Sequence, residues 1–173
     1  MDSERIRRAQ AGDQQALAAL LKAHYSFIVK YVWKMSGDEQ LAYDVTQDTI
    51  VKAIQKIQQF KHKSTFSTWL IQMATHTYID YKRKQKRSRR IDEKAIQEWK
   101  NPQAQNTRDE LYDVQEALWV LDDHYRIPIV LKHYYGYDYQ EISSMTNVKA
   151  GTLKSRVHYG LKKLRKELLS HER

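Results

Sequence analysis

The sequence contains no cysteine among its 173 residues, which excludes disulfides, thiolate metal sites and thiol catalysis. Turn-forming residues are scarce, with five glycines and two prolines, and long alternating runs of Val, Ile and Thr are missing. This composition predicts an all-α fold. No apolar run is long enough to span a membrane, and the first residues lack the apolar centre of a signal peptide. We therefore expect a cytoplasmic protein with no membrane insertion.

Patterns typical of enzymes are also missing from the sequence. The seven histidines show no metal-ligand spacing, and the chain has no glycine-rich phosphate loop. No pair of carboxylates is tied to a recognisable pocket. We therefore expect no catalytic residues, no metal site, no cofactor and no enzyme activity.

Positive charge is abundant and concentrated in two regions of the chain. The net charge is +9, with nine Lys/Arg against one acidic residue between positions 61 and 90. Between positions 149 and 173 there are eight Lys/Arg against two acidic residues. Two basic patches on an otherwise acidic chain indicate two contacts with one polyanion, most simply nucleic acid.

The region from position 138 to 164 predicts a short helix, a tight turn and a longer basic helix. Asp138 followed by Glu141 is a capping-box start, and Asn147 suits the left-handed conformation that ends a helix. The second helix has an apolar stripe at helical spacing: Val148, Leu153, Val157, Leu161 and Leu164. Its other side carries Lys154, Ser155, His158 and Lys162, which can donate to phosphates or base edges. The pattern indicates a DNA-binding helix-turn-helix, and an amphipathic hairpin with a solvated face is the alternative.

The N-terminal half carries two further patterns. Asp44, Gln47 and Asp48 share the outer face of one predicted helix, for which simple solvation is the first interpretation. Phe66 and Trp69 precede a run of cations that begins at Lys82. Cations can hold a phosphate backbone while an aromatic face receives an unstacked base, which suits single-stranded DNA. The alternative, favoured for Trp69 alone, is that the aromatic residues belong to the core.

Composition divides the chain into two predicted helical domains, 1–90 and 109–173, joined by a polar linker at 91–108. The second domain should contain four short helices, including the helix-turn-helix. Pro128 predicts the first turn of the second of these helices, which should end at Gly136.

Three segments, in order, resemble motifs of the extracytoplasmic-function (ECF) group of bacterial RNA polymerase sigma factors. Residues 42–50, AYDVTQDTI, resemble the segment that binds the clamp helices of RNA polymerase. Residues 66–87 resemble the segment that opens the minus-ten promoter element, with His76 where the family often has Asn. Residues 141–143 and 151–156, EIS and GTLKSR, resemble the signature that recognises the minus-thirty-five element.

The resemblance implies roles for particular residues. The residues implied to bind polymerase are Asp44, Gln47 and Asp48. Binding of minus-ten DNA falls to Lys61, Lys63, Phe66, Trp69, His76, Lys82, Arg83, Lys86 and Arg87. Binding of minus-thirty-five DNA falls to Lys149, Thr152, Lys154, Ser155, Arg156, His158 and Lys162.

The function implied by the resemblance is promoter-specific initiation of transcription. The protein would bind core RNA polymerase, recognise the minus-thirty-five element by its helix-turn-helix and melt the minus-ten element. Core polymerase, promoter DNA and an anti-sigma factor are the implied partners, without an obligate homo-oligomer. The alternative is a free-standing helix-turn-helix repressor or activator, which would need a dimer interface or effector pocket that the sequence does not reveal.

Overall fold

The computed structural model describes residues 2–91 and 110–171, and within these ranges it contains eight α-helices and no β-strand. The all-α prediction is therefore confirmed. The helices are α1 Asp2–Gln10, α2 Gln14–Ser36, α3 Glu39–Lys56, α4 Phe66–Ile91, α5 Glu110–Val120, α6 Asp123–Ile129, α7 Tyr139–Thr146 and α8 Ala150–His171. In the described part of the chain, no helix is long and apolar enough to cross a membrane.

The chain divides into two compact units. The first contains α1 to α4, apart from the short stretch Lys34–Gly37, which groups with the second unit. The second unit also contains α5 to α8. The predicted linker, 91–108, lies outside the described residues except for Ile91, which ends α4.

Side-chain caps define the starts of two helices in the first unit. Asp13 accepts a 2.9 Å hydrogen bond from the Ala16 amide at the start of α2 and pairs with Arg8 through its other oxygen. The hydrogen bond from the Ala16 amide is the main reason why the pKa of the Asp13 carboxyl lies below its usual range, and the hydrogen bond from the Arg8 guanidinium is the second. At α3, Asp38 accepts from the Leu41 amide at 3.0 Å. These bonds satisfy amides that have no partner within their own helix.

The core of the first unit lies where α3 packs on α4, and its buried side chains are largely apolar. A buried hydrogen bond crosses it, since the Tyr31 hydroxyl lies 2.5 Å from Thr75 Oγ1, which itself donates to the Ile71 carbonyl. Tyr31 is therefore the donor to Thr75. The other fully buried side chains of this core include Leu20, Ile28, Val32, Leu70 and Tyr78.

The core of the second unit lies where α5, α6 and α8 meet. Its buried members are Ala117, Leu118, Leu121, Ile129, Val157 and Leu164. Leu153 is also buried, whereas Leu161 is 38% exposed, so its predicted place on the apolar stripe was wrong. Gly160 takes the inward position on that turn of α8 instead, facing Ile129 and Tyr125 of α6.

Pro128 lies inside α6 rather than in its first turn, so that prediction was wrong. The helix begins earlier because the Asp122 carbonyl accepts from the Tyr125 and Arg126 amides at 2.9 and 3.0 Å. Pro128 has no N–H to donate within α6, and residues Val130–Tyr134 follow α6 as one turn of π-helix. The helical segment ends at Tyr134, two residues before the predicted end at Gly136, which has φ of +72°.

Candidate nucleic-acid interface

The first helix of the predicted helix-turn-helix, α7, starts with a complete capping box. Asp138 Oδ1 accepts from the amides of Gln140 and Glu141, both at 2.8 Å. In return, Glu141 Oε2 accepts from the Asp138 amide at 2.8 Å. The predicted capping box is confirmed, and it fixes the residue at which the motif begins.

The turn between α7 and α8 depends on Asn147. This residue has φ of 56° and ψ of 30°, and its amide donates to the Ser143 carbonyl at 2.9 Å. Asparagine tolerates this left-handed conformation better than most residues with a side chain. Ile142 and Met145 of α7 are buried, as are Leu153 and Val157 of α8. The two helices therefore form a packed helix-turn-helix, as predicted.

The outer face of α8 carries most of the residues predicted to contact minus-thirty-five DNA. Exposed side chains are Lys149, just before the helix, and Thr152, Lys154, Ser155, His158 and Lys162. Arg156 is only half-buried, at the border of the buried face. The row offers ammonium, hydroxyl and imidazole groups to a ligand on one side of the helix.

Tyr159 also belongs to this outer face, although the sequence motifs did not single it out. Its side chain is 57% exposed, and its ring meets His158 edge-on with a centroid distance of 5.4 Å. Lys162 Nζ lies 5.9 Å from the same ring centroid. Helical spacing could have placed Tyr159 on this face from the sequence alone, because it lies four residues after Ser155 and three before Lys162.

A cluster of aromatic side chains supports the loop before α4. Phe60, Phe66 and Trp69 have centroid separations of 5.3 to 5.6 Å. Phe66 is only 3% exposed, so it cannot contact a ligand directly in this conformation. Trp69 is half-buried and keeps part of its surface accessible, while Lys61 and Lys63 on the loop are exposed.

The basic end of α4 borders an open cleft of about 280 Å³. Its lining residues come from α3 and α4: Asp48, Lys52, Thr77, Asp80, Tyr81, Arg83, Lys84 and Arg87. Lys52 Nζ donates to Thr77 Oγ1 at 2.9 Å, and Arg83 pairs with Asp80 at 3.6 Å. Among the other residues predicted for this surface, His76 and Lys86 are exposed and Lys82 is half-buried.

The polar strip of α3 is exposed along its whole length. Asp44, Gln47 and Asp48 all face outwards, while Val45 and Thr49 between them are buried. Asp44 accepts a hydrogen bond from Gln40 Nε2 at 3.1 Å. Because Asp48 also lines the cleft beside Arg83 and Arg87, the acidic strip and the basic end of α4 are adjacent.

Within the described ranges, no group of three or more His, Cys, Asp or Glu side chains is arranged to hold a metal ion. The exposed functional groups described above are those of binding surfaces: cations, hydroxyls, the imidazole of His158 and an acidic strip. Together with the helix-turn-helix, they define a helical protein of the nucleic-acid-binding class.

Comparison with known families narrows this class. The family described as "Sigma-70 region 2" matches residues 20–88, and "Sigma-70, region 4" matches residues 111–164. The chain is 33% identical to the ECF RNA polymerase sigma factor SigW of Bacillus subtilis, covering 97% of both chains. It is 30% identical to the ECF sigma factor SigE of Mycolicibacterium smegmatis, covering 92% of this chain and 65% of that one.

A solved structure agrees with these sequence relationships. The sigma factor RpoE of Bartonella quintana, in complex with the anti-sigma factor NepR, superposes with a TM-score of 0.67 at 28% identity. The match covers 92% of this chain and 98% of that one. The chain belongs to the ECF RNA polymerase sigma factors, and it directs promoter-specific transcription. None of these comparisons supports a free-standing repressor or activator.

Proposed function

We propose that this sigma factor uses three separate surfaces during initiation. The outer face of α8 binds the duplex minus-thirty-five element, and the loop before α4 together with α4 captures the unpaired minus-ten strand. The polar strip of α3 binds core polymerase. The observation that carries the proposal is the capped α7, the left-handed Asn147 and the exposed cationic face of α8 in a single motif.

The α8 surface suits duplex DNA because the second helix of a helix-turn-helix enters the major groove and reads it with N-terminal residues. Thr152 and Ser155 are exposed in the first turns of α8, where hydroxyls can contact base edges. Lys154 and Lys162 are exposed and suit phosphates. Arg156 lies at the border of the buried face, so it would contact the DNA only at the edge of the α8 surface.

The surface of the first unit suits an unpaired strand. Lys61 and Lys63 supply cations on the loop, and the accessible part of Trp69 supplies an aromatic surface for a base. Phe66 contributes only by supporting Trp69 from within the core. Further along α4, His76, Lys82, Arg83, Lys86 and Arg87 extend the row of donors for the same strand.

The α3 strip suits a protein partner because its carboxylates and amide are exposed on a rigid helix. Asp44 and Asp48 present negative charge on one face of α3, and the buried face anchors the helix in the core. The adjacent cleft would place bound polymerase beside the basic end of α4. We extend the proposal to an anti-sigma factor that covers this strip, since the Bartonella relative is in complex with such a protein.

Transcription in vitro from a library of random promoters tests the proposal. Purified core polymerase is supplied with or without the protein, and the dependent transcripts are sequenced. We expect these transcripts to share two upstream elements at a fixed spacing. Dependent transcripts that share a single element, or none, would contradict the assignment of two DNA-binding surfaces.

A further inference from the structure

The last residue of α1 is bonded to a loop that lies about fifty residues further along the chain. Gln10 Nε2 donates to the carbonyl oxygens of Ile57 and Phe60, at 3.0 and 2.9 Å. The carbonyl of Gln10 accepts from Gln58 Nε2 at 2.6 Å. Gln10 Oε1 lies 3.2 Å from His62 Nε2. Four contacts from one residue thus hold the segment 57–62, which we call the Gln10 loop.

This network determines which ring nitrogen of His62 carries a proton. Only the amide nitrogen of Gln10 can donate to the two loop carbonyls, so its Oε1 must be the atom that faces His62. An amide oxygen accepts and does not donate, so His62 Nε2 carries the proton. Gln10 Oε1 therefore accepts from His62 Nε2. In the neutral ring Nδ1 is an acceptor, and it makes no bond to Gln10.

The loop also presents the His62 ring in a defined position. His62 has φ of +55°, a left-handed conformation that is costly for most side-chain-bearing residues and requires support from the surroundings. Its ring packs on Phe60 with a centroid distance of 4.8 Å, and the side chain is exposed. It stands between the exposed cations Lys61 and Lys63. An exposed imidazole between two cations can contact a base or a phosphate.

We propose that Gln10 is a positioning residue that fixes the Gln10 loop, and that His62 is the contact residue which this loop presents to the unpaired minus-ten strand. The proposal rests on the assignment of that strand to the loop and α4. It gives α1 a function in DNA binding, although α1 precedes residues 20–88, the part matched by Sigma-70 region 2.

The test uses full-length protein bound to core polymerase. The probe is a promoter recovered from the random library, made with unpaired bases across its minus-ten element. Gln10→Ala is compared with Gln14→Ala, which truncates an exposed glutamine at the start of α2. His62→Gly removes the imidazole while keeping a residue that adopts positive φ without strain. The double variant completes a cycle.

We expect Gln10→Ala to weaken binding of the unpaired probe about tenfold relative to Gln14→Ala, because two partly buried carbonyls lose their donor and the loop is no longer fixed. Binding to core polymerase should not change. The effects of Gln10→Ala and His62→Gly should not add, because both remove the same contact. Equal affinities for Gln10→Ala and Gln14→Ala, or fully additive effects, would overturn the proposal.

A base-preference measurement separates positioning from a general loss of stability. Affinities are measured with each of the four bases at every unpaired position. If Gln10 positions His62, Gln10→Ala and His62→Gly should change the ranking of bases at the same position. A uniform loss at all bases would overturn the role of Gln10. If Gln10→Ala fails to fold, Gln58→Ala removes one exposed bond to Gln10 and must show the same change in ranking, and its absence overturns the proposal.

Measurements on the wild-type protein distinguish an error in the minus-ten assignment from an error in the role of the Gln10 loop. If the wild-type holoenzyme does not prefer the unpaired probe to the same duplex, the minus-ten assignment itself is wrong and this inference fails with it. If the wild type prefers the unpaired probe and the Gln10 and His62 variants match their control, only the role of the Gln10 loop is wrong.

Discussion

Gly160 of α8 lies against Ile129 of α6 with no room for a side chain between the helices. A β-carbon at position 160 would be 2.7 Å from Ile129 Cδ1 and 3.0 Å from the Cβ of Tyr125. The glycine therefore sets how closely α6 packs on α8. Gly160→Ala should lower the free energy of unfolding by about 1–3 kcal/mol through overpacking, measured by urea unfolding.

Gly151 provides the matched control for this prediction. It lies in the same helix, and a β-carbon there would meet nothing within 4 Å. Gly151→Ala should therefore be neutral or raise the free energy of unfolding by up to about 1 kcal/mol, as expected for helix propensity. Adding Ile129→Val, which removes the clashing methyl group, should recover part of the loss in Gly160→Ala. Equal stabilities for the two alanine variants would contradict the packing argument.

Arg126 ties the end of α5 to α6 from a buried position. Its Nη1 donates to the carbonyls of Trp119 and Leu121, at 2.7 and 2.8 Å, and Nη2 pairs with Asp123. Arg126→Ala should cost about 3 kcal/mol in the free energy of unfolding, because these carbonyls lose a charged donor. Thermal unfolding followed by circular dichroism measures the loss. Arg165→Ala, at an exposed position of α8, should change stability by no more than about 0.5 kcal/mol.

Local signals in the sequence were sufficient to predict the helix-turn-helix. Asp138, Glu141 and Asn147 act on backbone groups within a few residues of themselves, so their roles can be read without knowing the rest of the fold. The exposed α3 strip likewise follows from helical periodicity. These features depend on sequence neighbours and not on tertiary contacts.

Features set by tertiary contacts could not be predicted in this way. The sequence does not show that Arg126 is buried, because its acceptors are the carbonyls at the end of another helix. Burial of Phe66 depends on Phe60 and on His24 of α2, so its adjacency to the cations suggested a ligand contact that its burial excludes. The contacts of Gln10 span about fifty residues and leave no periodic signal.

Asn147 should be the position of the turn that is most sensitive to branched side chains. With φ of 56°, it has a conformation that glycine adopts freely and that β-branched residues strongly disfavour. Asn147→Val should lower the free energy of unfolding by about 1–2 kcal/mol. Asn147→Gly should be within a few tenths of the wild type. Calorimetry on both variants checks this, and a stable Asn147→Val variant would show that the turn has another conformation.

The α3 strip should be required for binding to polymerase and dispensable for folding. Asp44 and Gln47 are exposed, so replacing both with alanine removes no buried contact. The double variant should fail to co-purify with core polymerase, while its helical circular dichroism spectrum stays unchanged. Glu39→Gln changes an exposed acidic residue on a different face of α3 and should co-purify normally. Retained binding by the double variant would exclude the strip from the polymerase interface.

Lys154 gives the cleanest electrostatic test of the α8 surface, because Arg156 is half-buried and its removal would also alter packing. Each phosphate contact releases condensed counterions, so the slope of log affinity against log salt reports how many contacts are made. For holoenzyme bound to a duplex carrying only the upstream element, Lys154→Ala should reduce this slope by about one unit. Lys30→Ala removes the same charge from an exposed position of α2 and should leave the slope unchanged. Because both variants have the same net charge, a difference in slope between them reports a local contact of Lys154, and equal slopes would place Lys154 outside the interface.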